Sequence, residues 1–125
     1  MTSSFTEAYH TAAFILSEAN GHRSRESGTV ASGQTLAAGE VVQLSAGKLI
    51  AADGALNTAG DVVTAVEGIV LAAVDASGGD VENVAYIARD AEVNDNLITY
   101  PTESTAGGEK AATVESLAAI GIIAR

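Results

Sequence analysis

The sequence predicts a small, mainly β domain, a barrel or a sandwich. Three observations point there. Short apolar runs recur along the chain, cut by Gly-rich turns at close spacing. One stretch, Gly68 to Asp90, reads as two strands joined by a turn. Helix signals gather only near the C-terminus, between Thr113 and Gly121.

Taken in order, Thr29-Val30-Ala31 is a short strand and Ser32-Gly33-Gln34 turns it. Ala38-Gly39-Glu40 turns again before the strand-like Val41-Val42-Gln43-Leu44. Ser45-Ala46-Gly47-Lys48 leads into Leu49-Ile50-Ala51. Asp53-Gly54 is a tight-turn pair, favoured where φ is positive. Ala55 to Val66 is ambiguous: its alanines tolerate a helix, whereas Gly60-Asp61 and Val62-Val63-Thr64 argue for loop and strand. Ile69 to Val74 has no polar interruption, as suits a strand buried on both faces. Asp75 to Asp80 is turn chemistry. Val84, Tyr86 and Ala88 then share one face of a second strand, with Ala85, Ile87 and Arg89 on the other. Asn94-Asp95-Asn96 turns the chain into a strand over Leu97 to Tyr100, which Pro101 ends. Pro101 to Lys110 is a polar loop.

The predicted helix has Thr113 as its N-cap and Glu115 in its first turn, where negative charge suits the dipole. Val114, Leu117 and Ala118 form its shared face. Gly121 stops it in the left-handed conformation, with Ile122 placed to touch Leu117. Ile122-Ile123 reads as a closing strand.

Composition narrows the function. The chain has 125 residues, enough for one domain with a modest core. Hydrophobic residues are 47% of it, but only 4% are aromatic, and small side chains bury little area each. That leaves room for stabilisation by an oligomer interface. Sixteen acids against six bases give a net charge of −10, which opposes a nucleic-acid partner. There is no cysteine. The start of the chain carries neither a basic leader nor a long apolar core, so no signal peptide is expected. No apolar run approaches the ~20 residues of a membrane span.

Residues 1–28 differ from the rest. Both phenylalanines and Tyr9 precede residue 17, and a polar stretch from Ser17 to Gly28 follows. Two readings are open. Either Phe5, Tyr9, Phe14, Ile15 and Leu16 dock on a partner, or Phe14, Ile15 and Leu16 pack on the domain's own core.

Little catalytic chemistry is legible. His10 and His22 lack partners at zinc-ligand spacing, so no metal is expected. No nucleophile elbow or phosphate-binding glycine loop occurs. Asp75 to Asp80 lacks the ligand pattern of a calcium loop. Asp90, Glu92 and Asp95 cluster after the second strand, and a solvated strand end accounts for them.

Four stretches carry a family resemblance. They are Phe14 to Gly21 with Arg23-Ser24-Arg25-Glu26, Gly68 to Ala76, Ala85 to Val93, and Leu117 to Ile123. In that order they resemble the head decoration proteins of tailed bacteriophages, the lambda decoration protein D-like family. The resemblance implies a β-clip-like or incomplete β-barrel domain with a short C-terminal helix. It implies an N-terminal arm over residues 1–28 and a decoration domain over 29–125. It further implies a homotrimer bound to the major capsid protein, on the outer surface of the expanded head at threefold positions. Such a protein is made in the host cytoplasm and stabilises the head against DNA pressure. No catalysis, cofactor, nucleic-acid or membrane partner is implied. A carbohydrate-binding module on the virion surface is the alternative, and it would need exposed aromatics; only Tyr86 and Tyr100 occur after residue 16. A small hydrolase using Asp90 or Asp95 is a third class, without a supporting sequence signal.

Overall fold

The structure is a computed structural model and describes residues 11–125. Its strands are β1 (Ile15–Glu18), β2 (Arg25–Val30), β3 (Thr35–Leu36), β4 (Val41–Ser45), β5 (Lys48–Ala51), β6 (Val66–Val70), β7 (Val74–Asp75), β8 (Val81–Ile87), β9 (Ala91–Val93) and β10 (Ile122–Ala124). A 3-10 turn covers Asp95–Leu97, and one α-helix, α1, spans Glu109–Ala119. Five strands close into a barrel in the order β2-β5-β4-β6-β8. A three-stranded sheet, β1-β9-β10, and a two-stranded one, β3-β7, complete the fold.

Alternation along the strands builds two cores. Successive side chains point to opposite faces of a strand, so neighbours part company. Val42, Val70 and Tyr86 join Val30, Leu49 and Val84 in one buried cluster, to which all five barrel strands contribute. This is the barrel interior. Val41, Ile69 and Ile87 face the other way and meet Phe14, Val93, Leu117 and Ile122. That second core lies between the barrel and a layer formed by α1 and the β1-β9-β10 sheet. Strands β4 and β6 are therefore covered on both faces, which is why Ile69 and Val70 are both fully buried.

The dominant pair is present: β6 and β8 are antiparallel neighbours, with Ile69 opposite Ile87 and Val70 opposite Tyr86. The predicted faces of β8 hold, with Val84, Tyr86 and Ala88 in the barrel core. The first strand does not run unbroken to Val74, however. The chain bends at Leu71-Ala72, and Val74-Asp75 leaves to pair with β3. The predicted strand over Leu97–Tyr100 is also absent. Asn94 Oδ1 accepts from the Asn96 backbone N–H and starts the 3-10 turn, leaving Thr99 only an isolated bridge to Glu40. In the ambiguous segment, Leu56 and Val62 form one antiparallel bridge and β6 begins at Val66.

The helix begins four residues before the predicted cap. Gly108, at φ 98°, is the N-cap and has no side chain to offer. The Glu103 carboxylate serves instead, accepting from the N–H groups of Gly108 (2.9 Å) and Lys110 (2.7 Å). Thr113 lies inside the helix, and its hydroxyl donates to the Glu109 carbonyl at 2.7 Å. Glu109, not Glu115, occupies the first turn, and the buried face is Glu109, Ala112, Thr113 and Leu117.

The C-terminal stop holds. Gly121 has φ 84° and its N–H donates to the Ala118 carbonyl at 3.0 Å. Leu117 and Ile122 share the second core. A side chain at Gly121 would meet Asp90 Oδ1 at 2.8 Å as well as the strained φ. Gly121→Val is expected to cost about 1 kcal/mol or more, read as a lowered denaturation midpoint. An unchanged midpoint would show that the helix end adapts.

Candidate functional site

The β1-β9-β10 sheet joins the N-terminal segment to the domain, and both of its edge strands expose an apolar side chain. Its inner face is apolar: Ala91, Val93 and Ile122 are buried in the second core. The chain reaches it through a firm anchor. The Ala12 N–H donates to the Leu71 carbonyl at 2.9 Å, and the Phe14 carbonyl accepts from the Asn94 N–H at 2.7 Å.

Strand β1 pairs antiparallel with β9, Ile15 opposite Val93 and Ser17 opposite Glu92. The register shifts between Ile15 and Ser17, so Leu16 is the extra residue of a bulge. A bulge re-aims a side chain, and Leu16 is 54% exposed. On the other edge, β10 runs parallel to β9 and sets Ile123 level with Glu92. Ile123 is 38% exposed.

Glu92 ties this face together. It accepts from Ser17 Oγ at 3.1 Å and from Arg125 Nε at 2.9 Å. Those two hydrogen bonds, Ser17 first, hold its carboxyl below the usual range. The turn after β1 is closed by a two-pronged pair, Arg25 to Glu18 at 2.9 and 2.8 Å. Beneath it the buried Ser24 hydroxyl accepts from the Ala19 N–H and donates to the Asp90 carbonyl.

The Arg25 hydrogen bond also lowers the Glu18 carboxyl. The sign follows from linkage: a depressed folded pKa gives stability that is present above the ordinary carboxyl value and is lost as pH falls through the folded one. Wild type is therefore expected to melt above Glu18→Gln near neutrality, and the gap to close in acid. A gap independent of pH would assign the effect to packing.

The structure separates the sequence-predicted residues. Phe5 and Tyr9 lie outside the described residues, as does His10. Phe14 is 2% exposed and belongs to the domain's own core. Ile15 is half-buried against that core, and Leu16 points out. Position 28, the expected domain boundary, falls within β2. Ser17, Glu92, Ile123 and Arg125 were not legible as a group. They meet only through the register of three strands far apart in sequence.

Catalytic chemistry finds little footing. The Asp95 carboxyl is lowered by hydrogen bonds from Tyr100 and Lys110, whereas a general acid requires the opposite shift. Side-chain hydrogen bonds likewise hold the carboxyls of Glu18, Asp75, Asp80, Glu92 and Glu109 below their ordinary values. Among the described residues no cluster of His, Asp and Glu is placed to hold a metal. Tyr86 is buried and donates to Glu67 at 2.9 Å, and burial, with Glu67, pushes its pKa up to about 12. Tyr100 donates to Asp95 at 2.5 Å beneath the Lys110 ammonium. Neither ring is set out as a sugar platform. No helix among the described residues is long and apolar enough to cross a membrane.

The described residues thus form a small β-barrel with an edge sheet that exposes Leu16 and Ile123. The chain belongs to the phage head decoration proteins: the family described as Bacteriophage lambda head decoration protein D matches residues 4–122. It is therefore a structural protein of the phage head that binds the capsid, in a family not known as enzymes. No match was found among curated proteins.

Proposed function

We propose that the protein acts as a homotrimer that clamps the outer surface of the expanded head at threefold positions and stabilises it against the pressure of packaged DNA. Its partner is the major capsid protein, met after synthesis in the host cytoplasm. The capsid contact lies within residues 1–28, of which Arg25 to Gly28 also open barrel strand β2, and 29–125 complete the decoration domain. Within the first part, Phe5, Tyr9 and Leu16 are the side chains offered to the partner, while Phe14 and Ile15 fix the root of the arm.

The observation that supports this most is the juxtaposition at β1. The strand lies at a sheet edge, follows directly on the aromatic-bearing segment and turns Leu16 outward. An edge strand is a template for pairing with another chain. Charge supports the exclusion of nucleic acid. Five of the six Lys and Arg residues are in ion pairs, to Glu18, Glu26, Asp80, Glu92 and Asp95. They are thereby diverted from phosphate contacts. Many modest contacts per trimer, repeated over the shell, resist rupture through avidity.

Co-sedimentation with expanded shells and with unexpanded procapsids tests the reading. Binding to the expanded form is expected, with little to procapsids, and equal binding to both would count against a clamp on the mature lattice. Light scattering at micromolar concentration should return about three times the 12.5 kDa chain mass, as a closed cyclic trimer requires. A monomer at that concentration would overturn the oligomeric part.

A further inference from the structure

The turn between β1 and β2 carries Asn20-Gly21, and we propose that Asn20 is a modification site, deamidating spontaneously through a succinimide in the folded protein. The Gly21 backbone nitrogen attacks the Asn20 side-chain carbonyl carbon. A ring C–N bond forms, the bond to the side-chain NH2 breaks, and ammonia leaves with the proton from the Gly21 nitrogen. Water then opens the ring at either carbonyl, giving aspartate or isoaspartate. Only water is consumed, and no oxidant or reductant is needed.

Three features of the turn expose this chemistry. Asn20 and Gly21 are both solvent-exposed. Gly21, at φ 67°, has nothing within 4 Å of where a Cβ would stand, so no packed neighbour shields that side of the turn. Among the described residues, neither the Gly21 N–H nor the Asn20 carboxamide has a hydrogen-bond partner, although the residues around them do: Ala19 N–H to Ser24 Oγ, and Arg25 N–H to the His22 carbonyl. The ends of the turn are clamped by Ser24 and by the Glu18–Arg25 pair, so ring formation disturbs the tip and spares the strands.

The other candidates are protected. Asn57 and Asn94 use Oδ1 to accept backbone N–H groups, from Ala59 and Asp61 and from Asn96 respectively. Asn57, Asn83, Asn94 and Asn96 are each followed by a residue whose side chain shields the attacking nitrogen: Thr58, Val84, Asp95 and Leu97. Asp53-Gly54 has the sequence for the related isomerisation. There Gly54 is buried, the place of its missing Cβ lies 2.7 Å from Pro101, and Asp53 Oδ1 accepts from the Ala55 N–H.

The test ages the purified full chain at mildly alkaline pH, alongside a free peptide of residues 17–25. Peptide mapping by mass spectrometry, anion exchange and an isoaspartate-specific methylation assay follow the products. One added negative charge, confined to Asn20 and split between aspartate and isoaspartate, is expected at a rate comparable with the peptide's. Asn20→Ser should abolish the charge gain without moving the melting temperature. If Asn20 stays intact while the peptide converts, or if Asn57, Asn83, Asn94 and Asn96 convert equally, the inference is wrong. The Asn20→Ser arm is a control, and the wild-type map decides the matter by itself.

Discussion

Gly68→Ala is expected to destabilise the native barrel severely, lowering its urea midpoint far below that of the wild type. Gly68 lies in the middle of β6, opposite Val42 of β4. Its backbone is ordinary, so the reason is space and not conformation. A Cβ there would overlap the Ile87 carbonyl oxygen and stand 2.9 Å from Tyr86 Cδ2 and 3.0 Å from the Ile87 carbonyl carbon. The obstacle is the backbone of β8, which cannot swing aside as a long side chain can. Moving it means prising β6 from β8, the contact through which Ile69 meets Ile87 and both cores are joined. Overpacking of a fitted core costs ~1–3 kcal/mol, and a clash with backbone belongs at or above the top of that range. Against a total of ~5–15 kcal/mol that is a large fraction. Gly47→Ala is the matched control. It has a positive φ but open space around it, so only about 1 kcal/mol of conformational strain is expected. Urea midpoints of the two variants separate the effects. Similar small shifts in both would show that β8 yields at Ile87.

The same glycine shows what could be read from sequence and what could not. Local signals were legible: the apolar run at Ile69-Val70, the alternation of Val84, Tyr86 and Ala88, and the stop at Gly121 each act within a few residues. The need for a glycine at 68 was not, because it comes from Ile87 on the neighbouring strand β8, distant in sequence. The helix start was misplaced for a related reason. Thr113 has the chemistry of a cap, but the cap is a carboxylate on the preceding loop, Glu103, which reaches back to Gly108 and Lys110. The end of β1 and most of β2 were read as a polar segment, Ser17 to Gly28, because it includes Ser17, Glu18, Arg25, Glu26 and Ser27. Their charges are spent on one another and on neighbours, Glu18 with Arg25 and Glu26 with Arg89, so a polar sequence still makes a paired strand. Of the proposed contact face, the aromatic weighting of the first residues was visible. The grouping of Leu16 with Ile123 around Glu92 depends on a bulge and on two registers that no local pattern encodes.

Deleting Met1 to Thr11 is expected to leave folding and self-association intact and to weaken binding to expanded shells sharply. The cut falls just before the first residue seen to anchor the chain, since Ala12 donates to Leu71 and Phe14 fills the second core. Everything those residues hold is retained in the truncated protein. What is removed includes Phe5 and Tyr9, two of the five aromatics of the chain. A segment that orders on its partner contributes backbone pairing and apolar burial only in the complex, after meeting its ordering entropy, so its loss is felt in binding and not in melting. Replacing Phe5 and Tyr9 by Asp should mimic the deletion, because a charge forced into an apolar slot must be desolvated. Glu7→Gln should change little, as a solvated charge at a rim contributes little. Phe14→Ala is expected to behave in the opposite way, costing about 3–5 kcal/mol of stability as a buried aromatic lost from a core. Leu16→Asp falls between the two groups by position: exposed on β1, it should bind shells weakly with an unchanged melting temperature. Co-sedimentation with expanded shells at matched salt, with thermal melting of each variant, separates the groups. If the truncated chain binds as tightly as the full one, the contact lies elsewhere on the domain. If it fails to fold, residues before Ala12 belong to the core, and Phe5 and Tyr9 act there.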